Sequence, residues 1–340
     1  MKILVTGGCG YIGSHTVIDL IEEGFEVISI DNFSNSYESV QNVLSSVSKR
    51  AFKNYAIDLC NLESTKQVFE KEGKIDGVIH FAAFKYVDES VRQPLKYYQN
   101  NLNSLLNILA CCKEFKVKQF VFSSSCSVYG NAKLLPVDEQ CPLAEAESPY
   151  AQTKVIGEQI IQDFVKAHQS KATLLRYFNP VGAHPSGLIG EQAKQGAPNI
   201  FPRLTATLRG KYEEFVIAGN DYPTPDGTCV RDYIHVCDIA HAHTLAFKWL
   251  SQQKEDSLCE VFNLGSGNGV SVLELVKAFQ EANSLKLNYS FGPRREGDVI
   301  AIYADNRKAK ELLKWEAAKS LNEMMQSAWE WDKKTHTEAI

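Results

Sequence analysis

Short apolar runs recur along the first half of the chain at intervals that predict buried β-strands. The runs are nearly continuous and do not strictly alternate with polar residues, as expected for parallel strands covered on both faces of a sheet. The five predicted strands are KILVT (2–6), EVISI (26–30), GVIHF (77–81), QFVFSS (119–124) and ATLLRYF (172–178).

Between these runs the apolar positions recur at helical spacing. The predicted helices cover residues 12–23, 62–72, 95–114 and 150–168. A strand–helix–strand order that repeats in this way predicts an α/β fold with a doubly wound parallel sheet of the Rossmann type.

The pattern changes in the second half of the chain. Residues 179–199 are rich in glycine, proline and alanine and predict a long loop, and such loops in compact domains are often functional. Segments with a strand followed by a helix are predicted at 233–250 and 260–279, and a last helix at 320–333. These short elements predict a second, smaller domain of mixed α/β type.

We therefore expect two domains. Residues 1–178 are predicted to form the first, residues 179–340 mainly the second, and residues 233–265 to return to the first. No low-complexity linker separates the two, so we expect them to pack closely together.

Composition and charge narrow the function classes. The 340 residues are 44% hydrophobic and 23% charged, with a formal net charge of -5. A protein that binds nucleic acid or an anionic membrane would favour a basic surface. We therefore expect neither kind of partner. No apolar stretch approaches the ~18 residues of a membrane span, and the N-terminus lacks the long apolar region of a signal peptide. The nine cysteines form no C-x-x-C pair. We expect free thiols, no metal site and a location in the reducing cytoplasm.

The segment VTGGCGYIG, in which the first predicted strand leads into the first predicted helix, has glycines at G-x-x-G-x-x-G spacing. Gly7, Gly10 and Gly13 would allow a tight turn and a close approach of the backbone to a pyrophosphate, which the helix N-terminus would also attract. Asp31 follows the second strand, about 20 residues farther on, where a carboxylate would bind the adenine-ribose hydroxyls. Because that carboxylate would repel a 2′-phosphate, we predict NAD and not NADP as the cofactor.

A second glycine-rich segment, NLGSGNG (263–269), also lies between a predicted strand and a predicted helix. No acid-ended second strand follows it, so we interpret it as a turn near the substrate.

A tyrosine stands four residues before a lysine in SPYAQTK. If Pro149 begins a helix, as prolines often do at the first turn, Tyr150 and Lys154 share one helix face and form an acid–base pair. Tyr129 and Lys133 have the same spacing, but the Gly-Asn pair between them predicts a turn.

The G-x-x-G-x-x-G spacing, the Tyr150–Lys154 pair and the serines of FSSSCSVYG (122–130) together resemble the extended short-chain dehydrogenase/reductase family. Within that family, the order of motifs from residue 3 to about residue 298 is similar to that of 4-epimerases that interconvert UDP-galactose and UDP-glucose with bound NAD. The second-half motifs are not generic to the family; they are LLRYFNPVGAHPSG, GNDYPTPDGTCVRDYIHV, NLGSGNG and PRREGD. The resemblance implies an NAD-binding first domain, a UDP-sugar-binding second domain and a homodimer.

The resemblance implies catalytic roles for three side chains. Tyr150 would take the proton from the sugar's 4-hydroxyl as hydride leaves C4, and Ser125 would hydrogen-bond the reacting oxygen. A free phenol has a pKa of about 10, so work near pH 7 requires a drop of about 3 pH units, or roughly 4 kcal/mol. Lys154 and the nicotinamide cation are the expected sources of that stabilisation.

The resemblance also implies the residues that bind cofactor and substrate. Those implied for NAD are Gly7, Gly10, Tyr11, Ile12, Gly13, Asp31, Asn32, Asp58, Leu59, Phe81, Ala82, Ala83, Lys85, Asn100, Ser125, Tyr150, Lys154 and Tyr177. Those implied for the UDP-sugar are Ser125, Tyr150, Asn179, Asn199, Ile200, Val216, Ala218, Arg231, Arg295, Asp298 and Ile302.

Four of the implied substrate residues have specific expected roles. Arg231 and Arg295 would clamp the diphosphate, because the guanidinium fork matches phosphate geometry, and Asp298 would bind the uridine ribose. Ile302 stands where related epimerases gate the C2 substituent of the sugar. A stiff, β-branched side chain there predicts that N-acetylated sugars are turned over slowly, unless Ile302 is simply a core residue.

Three alternatives stay open at this point. The first is another NAD-dependent nucleotide-sugar 4-epimerase, and the second is a nucleotide-sugar 4,6-dehydratase or decarboxylase. Dehydration needs an acid pair, and this chain has Cys126 and Ser127 where the dehydratases carry their acids. The third is a non-catalytic NAD-sensing protein on the same fold, which would tolerate loss of Tyr150, Lys154 or Ser125.

Overall fold

A seven-stranded parallel sheet forms the centre of the computed structural model, which describes residues 1–192, 194, 199–295 and 298–337. The strands, in chain order, are β1 (Lys2–Thr6), β2 (Glu26–Ile30), β3 (Lys53–Tyr55), β4 (Gly77–His80), β5 (Gln119–Ser123), β6 (Lys171–Tyr177), β7 (Asn179–Val181), β8 (Phe215–Ala218), β9 (Val230–Arg231), β10 (Tyr233–His235), β11 (Leu258–Leu264), β12 (Val270–Ser271), β13 (Tyr289–Gly292) and β14 (Ala301–Ile302). The main sheet has the order β11-β6-β5-β4-β1-β2-β3, which confirms the predicted doubly wound α/β class.

Helices cover both faces of this sheet. The helices of the described structure as a whole are α1 (Tyr11–Glu22), α2 (Val40–Ser48), α3 (Leu62–Glu72), α4 (Val87–Arg92), α5 (Pro94–Glu114), α6 (Pro149–His168), α7 (Ile200–Leu208), α8 (Val236–Gln252), α9 (Val272–Asn283) and α10 (Leu321–Thr337), with a short 3-10 helix at Cys126–Tyr129 and a π-helical turn at Ala309–Leu313. Successive residues of β1 point to opposite faces: Ile3 and Val5 pack with α1 and α8, whereas Leu4 packs with α3, α5 and α6. Both faces are therefore apolar, which explains the continuous hydrophobic runs.

Two strands of the main sheet were not among the five predicted for the first half of the chain. The β3 strand is only three residues long and reads Lys-Asn-Tyr, so it has no apolar run to reveal it. The sequence does predict a strand at β11, in the second half of the chain. This strand joins the main sheet beside β6 only because the chain returns to that sheet after α8. The domain limits themselves stay a prediction.

Helix α6 begins where the sequence predicts. Pro149 is in the first turn, and the side chain of Ser148 accepts a hydrogen bond from the backbone N–H of Ala151 at 3.2 Å. The first turn of a helix leaves backbone N–H groups unpaired. The N-cap serine accepts a hydrogen bond from one of them, and the proline that follows has no N–H to pair. The phase of the helix, and hence the direction of Tyr150 and Lys154, is set from this end.

Small sheets and three helices form the rest of the structure. Strand β7 pairs with β10, β8 pairs with β13, and β9 lies between β12 and β14. Buried residues of α7, α9 and α10 make a separate apolar cluster that includes Phe201, Phe279 and Met325. Among the residues that the structure describes, no helix is long and apolar enough to cross a membrane. All nine cysteines are free thiols, as predicted.

Candidate active site

The segments that follow β1, β2 and β4 form the walls of one cleft. This is the crevice at the carboxyl ends of the strands where open α/β sheets bind their ligands. All of the residues predicted to bind NAD line this cleft, with the exception of Ser125. The cleft also contains residues that the sequence reasoning missed: Ile30, Ser34, Asn35, Ser36, Ile57, Phe84, Tyr86, Ser104, Glu191 and Gln192.

The glycine turn after β1 has a shape that side chains would block. Gly7 has φ +71°, and a Cβ on it would lie 3.0 Å from the backbone nitrogen of Ala82. A Cβ on Gly13 would lie 2.1 Å from the carbonyl oxygen of Gly7, which itself accepts a hydrogen bond from the N–H of Gly10 at 3.1 Å. The turn therefore brings backbone N–H groups and the start of α1 to the cleft surface, as a pyrophosphate site requires. These residues fit a dinucleotide.

Asp31 is held against the glycine turn. Its Oδ2 accepts a hydrogen bond from the N–H of Cys9 at 3.0 Å, and its Oδ1 accepts from the N–H of Phe33 and the hydroxyl of Ser36, both at 2.9 Å. The carboxylate is thus fixed at the end of β2 and lines the cleft. An acceptor in this position suits ribose hydroxyls and repels an added phosphate.

Lys85 and Glu191 form an ion pair on the wall of the cleft. Lys85 Nζ lies 3.0 Å from Glu191 Oε1, and the side-chain amide of Asn199 donates to the same oxygen at 2.5 Å. Glu191 belongs to the long loop predicted at 179–199. The sequence indicates that this loop is functional, but it does not single out Glu191. Nothing in the spacing of the chain pairs Glu191 with a lysine 106 residues away.

The predicted acid–base pair lies on the first two turns of α6. Tyr150 and Lys154 are 9% and 5% exposed, and both line the cleft. Lys154 Nζ lies 5.9 Å from the centre of the Tyr150 ring and donates a hydrogen bond to the carbonyl oxygen of Ser123 at 2.6 Å. The side chain of Ser125 lies beside Tyr150, close enough to influence the pKa of the phenol, and accepts a hydrogen bond from the N–H of Ser127 at 3.2 Å. The structure therefore brings all three predicted catalytic side chains together.

Burial is the main influence on the protonation of this pair in the chain alone. Burial is the largest influence on the pKa of Tyr150 and raises it above the ordinary value of 10, although the neighbouring Ser125 side chain opposes this shift. Burial also lowers the pKa of Lys154 to about 8, while the charge of Glu158 raises it. Lys154 does not hold the phenol ionised in the chain alone, because its ammonium group points to the Ser123 carbonyl and is itself desolvated.

The Tyr129–Lys133 pair does not form a second acid–base site. Tyr129 is fully buried, its hydroxyl donates to Asn263 Oδ1 at 2.7 Å, and it accepts from Arg176 Nη1 at 3.0 Å. A turn that includes Gly130, at φ +52°, separates Tyr129 from the exposed Lys133.

Five of the predicted substrate residues lie on the loop and small elements beyond the main sheet. Asn179 begins β7, Asn199 precedes α7, and Ile200 is the first residue of that helix. Val216 and Ala218 lie on β8, where Val216 is 43% exposed. None of these five lines the cofactor cleft in the described part of the chain, so their predicted contact with substrate stays a prediction.

The other four predicted substrate residues lie close together. Arg231 Nη2 is 3.4 Å from Asp298 Oδ1, and the N–H of Asp298 donates to the carbonyl of Arg295. Strands β9 and β14 place Ile302 opposite Arg231. Ile302 is only 4% exposed and packs in an apolar cluster with Tyr129, so it is a core position in this structure. Its role as a gate stays a prediction.

The second glycine-rich segment is a turn held from inside the protein. Asp232 is fully buried, and its carboxylate accepts from the N–H groups of Ser266, Gly267 and Ala304 at 2.8, 3.1 and 3.0 Å. These N–H groups are occupied by an internal carboxylate, which explains why the segment is not a second phosphate site.

Comparison with known proteins agrees with this geometry. The family model described as GDP-mannose 4,6 dehydratase matches residues 4–328. The chain is 45% identical to a UDP-glucose 4-epimerase of Bacillus subtilis over 332 residues, which cover 97% of this chain and 96% of that one.

Solved structures give the same result. A UDP-glucose 4-epimerase from Bifidobacterium longum, solved in complex with NAD+ and UDP, is 41% identical, has a TM-score of 0.94 and matches over 100% of both chains. A UDP-Glc/GlcNAc 4-epimerase from Campylobacter jejuni is 36% identical, with a TM-score of 0.84 over 98% of this chain and 99% of that one. Identity at this level along the full length of both chains shows that the protein belongs to the UDP-glucose 4-epimerase family, within the extended short-chain dehydrogenases/reductases.

Proposed function

We propose that the protein is an NAD-dependent epimerase that interconverts UDP-galactose and UDP-glucose by inverting carbon 4 of the hexose. One observation carries the proposal: Tyr150 and Lys154, with Ser125 beside the phenol, stand on the wall of the same cleft that the glycine turn and Asp31 line. Proton transfer and cofactor binding thus meet at one place.

The first step is oxidation of the sugar at C4. Tyr150 takes the proton of the 4-hydroxyl as a hydride leaves the same carbon, and Ser125 holds the reacting oxygen. When bound, NAD supplies the hydride acceptor and, in its oxidised form, a positive charge beside the buried phenol. Because burial raises the pKa of Tyr150 in the chain alone, ionisation of the phenol depends on positive charge that arrives with the ligands.

The second step returns the hydride to the opposite face of the 4-keto sugar, and Tyr150 returns the proton to oxygen 4. Inversion requires a hexose that can turn over while the nucleotide stays bound. Arg231 and Arg295 are proposed to hold the diphosphate and Asp298 the uridine ribose. Arg231 Nη2 lies 3.4 Å from Asp298 Oδ1, and this proximity supports a shared role for the two side chains in nucleotide binding.

The dehydratase alternative has little support at the site, although the family model carries a dehydratase description. Cys126 and Ser127 occupy the positions where an acid pair would expel the C6 hydroxyl. Burial raises the pKa of the Cys126 thiol to about 12, so the thiol is a poor proton donor near neutral pH.

A homodimer in the cytoplasm is the proposed working form. Val91, Leu95 and Leu106 on α4 and α5 are 59%, 71% and 48% exposed, and an apolar surface of this kind favours association. The nine free thiols suit a reducing compartment. Light scattering of the purified protein tests the dimer directly.

The function is tested by incubating the purified protein with UDP-galactose and no added reductant, and by identifying the released cofactor by mass. We expect UDP-glucose as product and NAD as cofactor, with weaker NAD retention after Asp31→Ala. A 4-keto-6-deoxy product would identify a dehydratase. Bound NAD without turnover of UDP-galactose would identify a sensor, and released NADP would refute the role given to Asp31.

A further inference from the structure

A buried ion pair lies directly behind the predicted catalytic side chains. Arg176 on β6 donates to Glu158 on α6 through two nitrogens, Nε to Oε1 at 2.9 Å and Nη2 to Oε2 at 2.6 Å. The two side chains are 5% and 2% exposed. Among the residues that the structure describes, only this ion pair has both side chains less than a tenth exposed. Removing two charges from water is costly unless good geometry and further hydrogen bonds compensate. Glu158 and Arg176 each make one such further hydrogen bond.

Those extra bonds lead to the segment that carries Ser125. The hydroxyl of Ser124, the preceding residue, donates to Glu158 Oε1 at 2.5 Å. The remaining Arg176 nitrogen, Nη1, donates to the hydroxyl of Tyr129 at 3.0 Å, at the other end of the short 3-10 helix. The ion pair therefore anchors a side chain on each side of Ser125.

The same pair is linked to the base and the lysine. Glu158 follows Lys154 by one helical turn, so the two side chains share a face of α6, and the charge of Glu158 favours the protonated form of Lys154. Arg176 precedes Tyr177, whose hydroxyl lies 2.6 Å from the hydroxyl of Ser123. Ser123 in turn accepts the hydrogen bond from Lys154.

We propose that Glu158, paired with Arg176, is a positioning residue for the epimerisation. Its carboxylate holds Ser125 in reach of the phenol of Tyr150 and keeps the ammonium group of Lys154 charged. The proposal rests on the proposed function for its kinetic consequences. Its electrostatic consequence for Lys154 does not depend on turnover.

The other groups around α6 do not supply this charge. Burial raises the pKa of the nearby phenols and thiols and lowers the pKa of His80 to about 3. All of these groups are therefore neutral between about pH 6 and pH 9. The carboxylate of Glu89, on α4, is paired with Lys96 at 2.6 Å. These neutral groups are His80 of β4, Tyr97 of α5, Cys126 and Tyr129 of the 3-10 helix, Tyr177 of β6 and Cys259 of β11.

The test compares Glu158→Gln with Glu72→Gln. Glu72 is a matched control, because it is also a poorly exposed carboxylate (8%) and accepts hydrogen bonds from Lys2, Lys53 and Tyr55. Unlike Glu158, it lies on α3, far from α6 in the chain. It does not line the cleft. For Glu158→Gln we expect kcat on UDP-galactose to fall about 10- to 100-fold, the size of effect expected when reacting groups are misplaced, with a KM within about threefold of wild type. Glu72→Gln should retain wild-type kcat.

A second measurement reports on Lys154 without turnover. Competitive acetylation of the NAD-free protein across a pH series, read by peptide mass spectrometry, gives the pKa of Lys154. We expect Glu158→Gln to lower it by about one pH unit, because an attractive negative charge is lost, and Glu72→Gln to leave it unchanged. An unchanged Lys154 pKa in Glu158→Gln overturns the electrostatic part of the proposal, whether or not the enzyme is active.

A double variant separates positioning from stability. Glu158→Gln leaves Arg176 buried without a counter-charge, whereas Glu158→Gln with Arg176→Gln removes both charges and should recover much of the lost stability. If kcat stays low in this double variant, positioning is supported; if kcat recovers with stability, the pair is only structural and the proposal fails. If neither wild type nor Glu72→Gln turns over UDP-galactose, the proposed function is refuted. The acetylation experiment would still decide whether Glu158 controls the pKa of Lys154.

Discussion

Replacing Lys154 with methionine should change how the stability of the NAD-free protein depends on pH. Lys154 is 5% exposed, and burial lowers its pKa from 10.5 to about 8. At about 1.4 kcal/mol for each pH unit, this difference corresponds to about 3 kcal/mol of free energy of unfolding. The charged ammonium group therefore destabilises the folded state by that order of magnitude.

The sign follows from the protons bound in each state. Below about pH 8, Lys154 is protonated in both the folded and the unfolded protein, and the full cost of burying the charge is present. Between pH 8 and pH 10.5 the unfolded state binds more protons than the folded state, so stability rises with pH. The free energy of unfolding of wild type, minus that of Lys154→Met, should rise by about 3 kcal/mol across this window.

The measurement is urea unfolding of the NAD-free proteins, followed by tryptophan fluorescence at several pH values between 7 and 10.5. Lys133→Met is the control, because Lys133 is exposed and its removal should leave the pH dependence parallel to that of wild type. A wild-type minus Lys154→Met difference that stays constant across the window would refute the reasoning, since it would mean that Lys154 is not desolvated in the folded protein.

Three further predictions concern activity. Tyr150→Phe should lower kcat by orders of magnitude with UDP binding retained, whereas Tyr129→Phe should affect the chemical step much less; equal losses in the two variants would mean that the wrong tyrosine has been chosen. Arg231→Gln and Arg295→Gln should chiefly raise KM, because the diphosphate loses an ionic contact, and a pure kcat defect with unchanged UDP affinity would contradict the clamp. Wild-type protein should prefer UDP-galactose over the N-acetylated sugar by roughly 10- to 200-fold, and Ile302→Cys should narrow and Ile302→Tyr widen that ratio. The same ratio in all three proteins, measured by product analysis, would show that Ile302 is only a core residue.

The sequence alone was sufficient for the features that depend on local chemistry. Continuous apolar runs predict the central strands because both faces of the sheet are covered. Pro149 predicts the start of α6, and with it the shared direction of Tyr150 and Lys154. Glycines at 7, 10 and 13 predict the turn, and at Gly7 and Gly13 the backbone leaves no space for a Cβ. Each of these inferences concerns residues within a few positions of one another.

Tertiary structure decided the features that depend on residues far apart in the chain. Glu191 enters the cofactor cleft because the loop beyond β7 folds back onto Lys85. Arg176 becomes the partner of Glu158 only when β6 packs under α6. Burial is likewise a property of the assembled fold: it raises the pKa of Tyr150 in the chain alone, which the spacing of Tyr150 and Lys154 does not reveal. Local sequence specifies which groups are available, but desolvation and long-range charge act only after the elements pack together.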